Sequence, residues 1–408
     1  MLRSTSRPAL STEDVARLAP KVRELSQAYN AGEAEGRRTK LPLEARIAFS
    51  FARDVPKGAA AVRELVASGL LAIPEDRALR VLDLGAGLGA MTWGVVRALA
   101  SAGASGRVEA LLVDEDDEVL AAAGAIARSA RSLLGADALA PGRSPPLELA
   151  VTTRTERLGV AGDRAERVPP QDVVILGQVL SELDPRAEPE ARVERHAALV
   201  AGLLASVVAP DGALVIVEPA LRERTRHLHA VRDRLLADRV ANVFAPCLHD
   251  APCPMRAIET EWCHEDLAVD LPAWVVPLAR AAGLRWQGLT FSYLVLRRDG
   301  ASPVRGLPPA AGGVRFRTVS DLLRSKGKVE LFVCGEDGAR RRIRRLDRDA
   351  AHGTGVPFDE IRRGDTVTLS SAAGGPGAPA ASPAPPIDER GRVAGHAHVA
   401  IDVGAARK

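Results

Sequence analysis

The stretch Val81-Leu82-Asp83-Leu84-Gly85-Ala86-Gly87-Leu88-Gly89 constrains this chain more than any other. A short apolar strand runs into three glycines at alternate positions, and an Ala-rich helical sequence follows. Glycines let such a turn tighten and let backbone N–H groups at the helix N-terminus come up against a ligand. A dinucleotide site would place a pyrophosphate there. Here Asp83 lies two residues before the first glycine, where its carboxylate would repel phosphate but could pair with a cationic amino-acid group. S-adenosylmethionine has such a group and no phosphate. The next apolar strand, Val108 to Val113, ends in Asp114, placed to accept the two hydroxyls of a ribose. The expected cofactor contacts are therefore Asp83, Gly85, Gly87, Gly89 and Asp114.

Further apolar runs follow at intervals: VEALLVDED, LELAVTT, DVVILGQVL, GALVIVEP and FSYLVLRR, separated by Ala/Leu-rich helical stretches. That alternation predicts an α/β fold, a mostly parallel Rossmann-like sheet with helices on both faces. At 408 residues the chain is long enough for at least two folding units. Residues 1–75 read as an N-terminal helical segment, with Ser11-Thr12-Glu13-Asp14 as a capping pattern. Residues 76–300 read as the Rossmann-like domain, with a cysteine loop at 244–264. Residues 301–313 read as a linker, 314–370 as a basic β-rich domain, and 371–408 as a disordered tail led by a Ser/Ala/Gly/Pro run. Aromatics are only 3% of the chain, so Leu, Val and Ala must fill the core. No stretch reads as a membrane span and the first residues carry no apolar signal region, so a cytoplasmic protein is expected.

After the fourth strand the chain reads Gly177-Gln178-Val179-Leu180-Ser181-Glu182. It has no Asn/Asp-Pro-Pro-aromatic box to grip an exocyclic amine, and no Pro-Cys nucleophile for a pyrimidine ring. Gln178 and Glu182 could touch cofactor or substrate, or serve only the strand-to-helix turn. No side chain is named as a catalytic nucleophile or base.

Cys247, Cys253 and Cys263 fall in VFAPCLHDAPCPMRAIETEWCHEDL, and Cys334 follows in VELFVCGEDG. Without an export signal, disulfides are a poor explanation and metal ligation is a better one. Four thiolates suit a tetrahedral zinc or a 4Fe–4S cluster. No C-x2-C knuckle is present, and the wide, proline-braced spacing favours the cluster. His249 and His264 lie beside the cysteines. A radical enzyme would need a three-cysteine loop on a barrel, which neither the spacing nor the strand pattern offers.

Net charge is only +3, but residues 315–349 carry 11 basic and six acidic side chains. Within that segment Lys326, Lys328, Arg340, Arg341, Arg342, Arg344 and Arg345 could track a phosphate backbone. A solvated strand face in an Arg-rich chain is an equal alternative.

Taken in order, LPLEARIAFSFARDVPKGAAAVREL, VLDLGAGLGA, CLHDAPCP with EWCHEDL, and SKGKVELFVCGEDG resemble one family over roughly residues 40–370. These are the methyltransferase-like small-ribosomal-subunit assembly factors of mitochondria and their bacterial relatives. The resemblance implies a class I S-adenosylmethionine-dependent methyltransferase fold. It implies a 4Fe–4S cluster on Cys247, Cys253, Cys263 and Cys334, and a cofactor pocket at the Gly85/Gly87/Gly89 turn; Gln178 joins the expected cofactor contacts from its own place after the fourth strand. It further implies a partner in small-subunit rRNA or the assembling subunit, with or without methyl transfer. The chain would be a monomer apart from that particle, cytoplasmic here and mitochondrial in eukaryotic relatives. Leu248, Met255 and Glu265 depart from the family's usual residues.

Overall fold

The computed structural model describes residues 10–30, 42–137, 147–158, 168–304, 313–352, 354–371 and 385–403. Helix α1 (Thr12–Asn30) opens with the expected cap: the Ser11 hydroxyl accepts from the Asp14 amide at 3.0 Å, and Asp14 accepts from the Ser11 amide. A short helix α2 (Leu43–Ala45) leads through a π-helical turn, Arg46–Ser50, into α3 (Phe51–Ala67).

The central sheet contains β1 (Leu79–Leu84), β2 (Gly106–Asp114), β3 (Leu147–Thr155), β4 (Gln171–Gly177) and β5 (Val208–Pro219), all parallel. It is completed by β6 (Asn242–Ala245), β7 (Glu265–Asp270) and β8 (Gln287–Arg297). The spatial order is β3-β2-β1-β4-β5-β8-β6, with β8 antiparallel to β5 and β6, and with β7 paired to β8. Reversal of order after β1 puts a crevice at the carboxyl ends of β1 and β4. This is the Rossmann-like arrangement of class I methyltransferases, as the sequence implied.

Alternation along the strands splits the core into two layers. Val81, Val173, Ile175 and Val215 face α4 (Ala90–Ser101), α3 and α1, and form one cluster with Val22, Leu25 and Leu65 of those helices. Leu82, Val174, Leu176 and Ile216 face α6 (Pro189–Ser206) and α7 (Arg222–Ala237). The N-terminal helices therefore share a core with the sheet. Helix α5 (Asp117–Asp137) lies between β2 and β3 in the chain, and α8 (Val275–Ala281) packs near α1.

The second sheet holds β9 (Val314–Thr318), β10 (Leu323–Ser325), β11 (Lys328–Gly335), β12 (Arg340–Leu346), β13 (Thr354–Gly355), β14 (Thr366–Ser371) and β15 (Ala397–Val403). Its order is β10-β11-β9-β14-β15-β13, with β12 on β11. Phe316, Leu331, Ile343, Leu369 and Val399 form its core.

β15 corrects the expected disordered tail at 371–408. Val399 pairs with Leu369 and is fully buried, and Val393 and Ala397 are buried beside it. The apolar alternation in Ala397-His398-Val399-Ala400-Ile401 suffices for a strand once β14 offers an edge. Residues 372–384 and 404–408 lie outside the described residues, as do 305–312 of the expected linker. Among the described residues no helix is long and apolar enough to cross a membrane.

Candidate cofactor cleft and cysteine centre

A cleft of about 400 Å³ opens where the sequence placed it, lined by Asp83, Gly85, Gly87, Asp114 and Gln178, while Gly89 stands behind the lining as the residue that caps the helix start. The turn follows from its glycines. Gly85 and Gly89 sit at φ +67° and +77°, and a Cβ on either would come within 2.6 Å of Val179 or 2.9 Å of Leu112. The Oδ2 atom of Asp83 accepts from the hydroxyl of Thr92 at 2.8 Å and from its amide at 3.3 Å, tying the strand to α4. Its Oδ1 is buried with no partner. Burial raises the Asp83 pKa to about 7, against the Thr92 hydrogen bonds and with some help from Asp114. An unpartnered buried carboxylate oxygen facing a cleft is a site for a cation.

Asp114 accepts from the Gly87 amide at 2.8 Å and from the Asp116 amide at 3.1 Å. It shapes the glycine turn, and its carboxylate has lone pairs left for a hydroxyl donor. Gln178 takes a left-handed backbone, φ 62°, an uncommon conformation for a non-glycine that clusters at functional sites. The loop behind it is held by Glu218, which accepts from the amides of Leu180 and Ser181. Burial lifts Glu218 to about 7.

Sequence reasoning missed the wall opposite the glycine turn. α3 crosses α4 at Gly58 and Gly94, where a Cβ on Gly94 would lie 2.7 Å from the Gly58 Cα. This close approach lowers α3 onto the cleft. Gln178 donates to Asp54 at 3.0 Å, Lys57 donates to Asp54 at 2.8 Å, and Lys57 is only 8% exposed. Arg46, also buried, reaches Asp116 at 3.3 Å. A Lys three residues after an Asp gives no sequence signal of burial, since charged residues on a helix usually face water.

All four cysteines are free and line one cavity of about 50 Å³ at the joint between the two sheets. Three come from the loop after β6 and Cys334 comes from β11. The walls are built by α7: Arg232 donates to the carbonyls of His249 and Ala251, Asp233 accepts from the Cys253 amide, and Arg226 donates to the carbonyls of Met255, Ile258 and Glu261. His249 Nε2 lies 3.4 Å from the Cys334 sulfur, while Nδ1 faces the Ala251 carbonyl. Burial, then the nearness of Cys247, pushes the Cys253 and Cys334 thiols up to about 12. Cys263 is also pushed up, by burial and then by the other three sulfurs. The thiols are thus gathered where their thiolates would repel one another without a cation between them. Among the described residues no three or more His, Cys, Asp or Glu groups close tightly enough to hold a single metal ion.

Beside this cavity lies a buried ion network. Arg317 of β9 donates to Glu64 at 2.6 Å and to the Gly364 carbonyl at 2.7 Å. Arg63 donates to Glu265 at 2.9 Å and to the Gly364 carbonyl at 3.1 Å, and the Tyr293 hydroxyl donates to Glu64. Glu265, where the loop departs from the resembled pattern, is therefore a partner in the domain joint.

Residues 44–355 match the family model described as mitochondrial small ribosomal subunit Rsm22. The chain belongs to that family. No curated protein matches it. Among solved structures, an uncharacterized protein from Burkholderia thailandensis is 16% identical, over 74% of this chain and 98% of that one, with a TM-score of 0.34. An S-adenosylmethionine-dependent methyltransferase from Leishmania major is 13% identical, over 72% and 87%, with a TM-score of 0.30. A candidate class I methyltransferase from Listeria monocytogenes is 16% identical over 60% of this chain, with a TM-score of 0.31, and the match spans 63% of its own length. Likenesses at this level carry no function.

In this Rsm22-family chain the basic segment divides. Lys326, Arg341 and Arg342 are exposed, although Arg341 pairs with Asp337 and Arg342 with Glu330. Lys328 is half-buried and also pairs with Glu330, and Arg344 is half-buried. Arg340 bonds Glu261 at 3.1 Å and lies 4.1 Å over the Phe332 ring, so it faces the cysteine loop. Arg345 is corrected outright. It is 5% exposed and donates to the Gly395 carbonyl, because the chain after 385 folds over it.

Proposed function

We propose that this chain binds S-adenosylmethionine in the Asp83 cleft and works on the small ribosomal subunit, engaging its rRNA, with a 4Fe–4S cluster held by Cys247, Cys253, Cys263 and Cys334. The observation that carries the cofactor reading is the Asp83 Oδ1, buried, unpartnered and lining the cleft. The ribosomal partner comes from the family's name, and the exposed Lys326, Arg341 and Arg342 suit a phosphate backbone. The site of action is the compartment where the small subunit is assembled, cytoplasmic in a bacterium and mitochondrial in eukaryotic relatives.

The cysteine cavity fits a four-sulfur centre by its donor set, which is four soft thiols from two domains facing one buried space. When bound, the cluster would supply positive iron to four thiolates, and its binding energy would become docking energy between the two sheets. A single zinc is the competing occupant, and it would need the four sulfurs drawn closer together than they lie here.

Calorimetric titration with S-adenosylmethionine, S-adenosylhomocysteine and ATP tests the cleft. The two methyl-donor-related ligands should bind and ATP should not, and Asp83→Asn should lower their affinity at least tenfold. Preference for ATP would sink the assignment. Iron and acid-labile sulfide on protein purified without oxygen test the second site, where one zinc and no sulfide would replace the cluster reading. Turnover is favoured by one observation, the cleft-lining carboxylate of Asp54, held by the buried Lys57 and by Gln178. Labelled methyl transfer to small-subunit rRNA decides it.

A further inference from the structure

The cleft is polar in the electrical sense. Across the sheet its floor passes from β2 and β1, which contribute Asp114 and Asp83, through β4 and Gln178, to β5 and β8. At that last end Arg53, Arg224 and Arg285 line it. Arg53 comes from α3, Arg224 from the first turn of α7, and Arg285 from the loop before β8. Arg53 Nε is buried without a partner, and its guanidinium lies 4.9 Å over the Phe49 ring. The nearest carboxylate in sequence, Asp54, is already taken by Lys57 and Gln178. Burial lowers the Arg53 pKa, Asp54 opposes that and Arg285 adds to it. Arg285 is itself held at the cleft wall by Asp266, whose two carboxylate oxygens accept from its guanidinium at 3.1 and 3.0 Å. Cations gathered in this way with a buried donor unused are arranged for an anion.

We propose that the β5/β8 end of the cleft, formed by Arg53, Arg224 and Arg285, is a phosphate subsite that seats a phosphodiester of a single-stranded RNA segment beside the cofactor. This rests on the reading that the chain engages RNA. The cofactor's own carboxylate is the other anion to consider, but distance argues against it. β8 is three strands from β1, about 14 Å at the usual strand spacing. A group paired with Asp83 through its ammonium holds its carboxylate only a few bonds away. Guanidinium geometry suits phosphate, and stacking of Arg53 on Phe49 holds one fork in place.

The test is fluorescence anisotropy of a labelled single-stranded RNA of about 12 nucleotides on the full chain, with salt varied, alongside calorimetry with S-adenosylmethionine. Arg53→Gln with Arg285→Gln should flatten the dependence of log affinity on log salt by about 0.7, the value of one phosphate contact on a single strand. S-adenosylmethionine affinity should stay within twofold. Arg53→Lys keeps the charge and should keep the slope, which separates loss of the subsite from loss of the fold. An unchanged slope in the double variant, with wild type binding RNA, overturns the subsite and leaves RNA binding standing. A collapse of cofactor affinity in the same variant also overturns it, assigning the cations to the cofactor carboxylate. Wild type that binds no RNA removes the RNA reading and the subsite together.

Discussion

Glu64 on α3 accepts a 2.6 Å bond from Arg317 on β9, across 253 residues of chain, and both side chains are almost wholly buried. The pair lies between the Rossmann-like sheet and the C-terminal sheet, next to the cysteine cavity. A buried ion pair contributes little net stability against an apolar replacement, but removing one partner strands the other. Glu64→Ala should therefore cost about 3–5 kcal/mol by chemical denaturation. The double variant Glu64→Ala/Arg317→Leu should recover much of that. In hydrogen exchange the single variant should loosen β9 and β11 before β1 and β4. Equal costs for single and double variants would show that the pair does not govern the joint.

Asp83 gives the cleft a pH signature. Its pKa is raised to about 7 by burial, so below that pH the carboxyl is protonated and cannot pair with a cation. Cofactor affinity should climb about tenfold per pH unit on the acid side of 7. It should decline again near 8, where an α-amino group loses its proton, roughly pH 7.7–8.0. Asp83→Asn should abolish the acid limb. The ligand-free protein should show the opposite trend in stability. Asp83 and Glu218 both hold protons in the fold that the unfolded chain releases near pH 4. Their contribution is full below that unfolded value and is lost as pH rises toward 7, on the order of 4 kcal/mol for each group. Thermal unfolding of the apo chain should fall from pH 5 to 8, and Asp83→Asn should flatten that fall. A flat wild-type profile would argue against both buried acids.

Local pattern made much of this legible. The strand alternation gave the sheet, and the glycine spacing with Asp83 and Asp114 gave the cleft. The cysteine spacing suggested a shared centre, and the structure brings the four cysteines onto the lining of one cavity. What escaped depends on contacts with no local signature. Lys57 and Arg46 look like the solvated side of a helix, yet both are buried, Lys57 beside the close crossing of α3 on α4 at Gly58 and Gly94. Glu64 and Arg317 have no sequence relation at all. β15 was hidden behind a low-complexity run whose composition argued against order, although the strand itself has ordinary alternation. Arg345 read as part of a cationic stripe because the run of arginines does not show that a later segment covers one of its faces.

The crossing of α3 on α4 should be the mechanical support of the cleft wall. Gly94→Val would set a Cβ 2.7 Å from the Gly58 Cα and 2.6 Å from the Ala59 amide nitrogen, both backbone atoms that cannot swing aside. Overpacking of this kind costs about 1–3 kcal/mol. Because α3 must lift, Asp54 should lose Gln178, and cofactor affinity should fall even though Gly94 lies outside the cleft lining. Gly94→Val in calorimetry and thermal melting checks this. Lost stability with unchanged affinity would mean that α3 does not set the cleft.

The remote cysteine provides the sharpest test of the centre. Cys334 reaches the cavity from β11, whose register pairs it with Arg317 on β9 and Arg340 on β12. If the four sulfurs share one cluster, Cys334→Ser should reduce iron and sulfide well below about four of each per chain. It should also speed amide exchange in β9 and β11, since metal binding and domain docking are then one equilibrium. His249→Ala supplies the control, because its ring lies 3.4 Å from the Cys334 sulfur and could itself be a ligand. A cluster on four cysteines should survive that change with a shifted spectrum. Full iron in Cys334→Ser together with loss in His249→Ala would move the fourth ligand from Cys334 to His249, and the cluster would then bridge the domains only through that hydrogen-bonded contact.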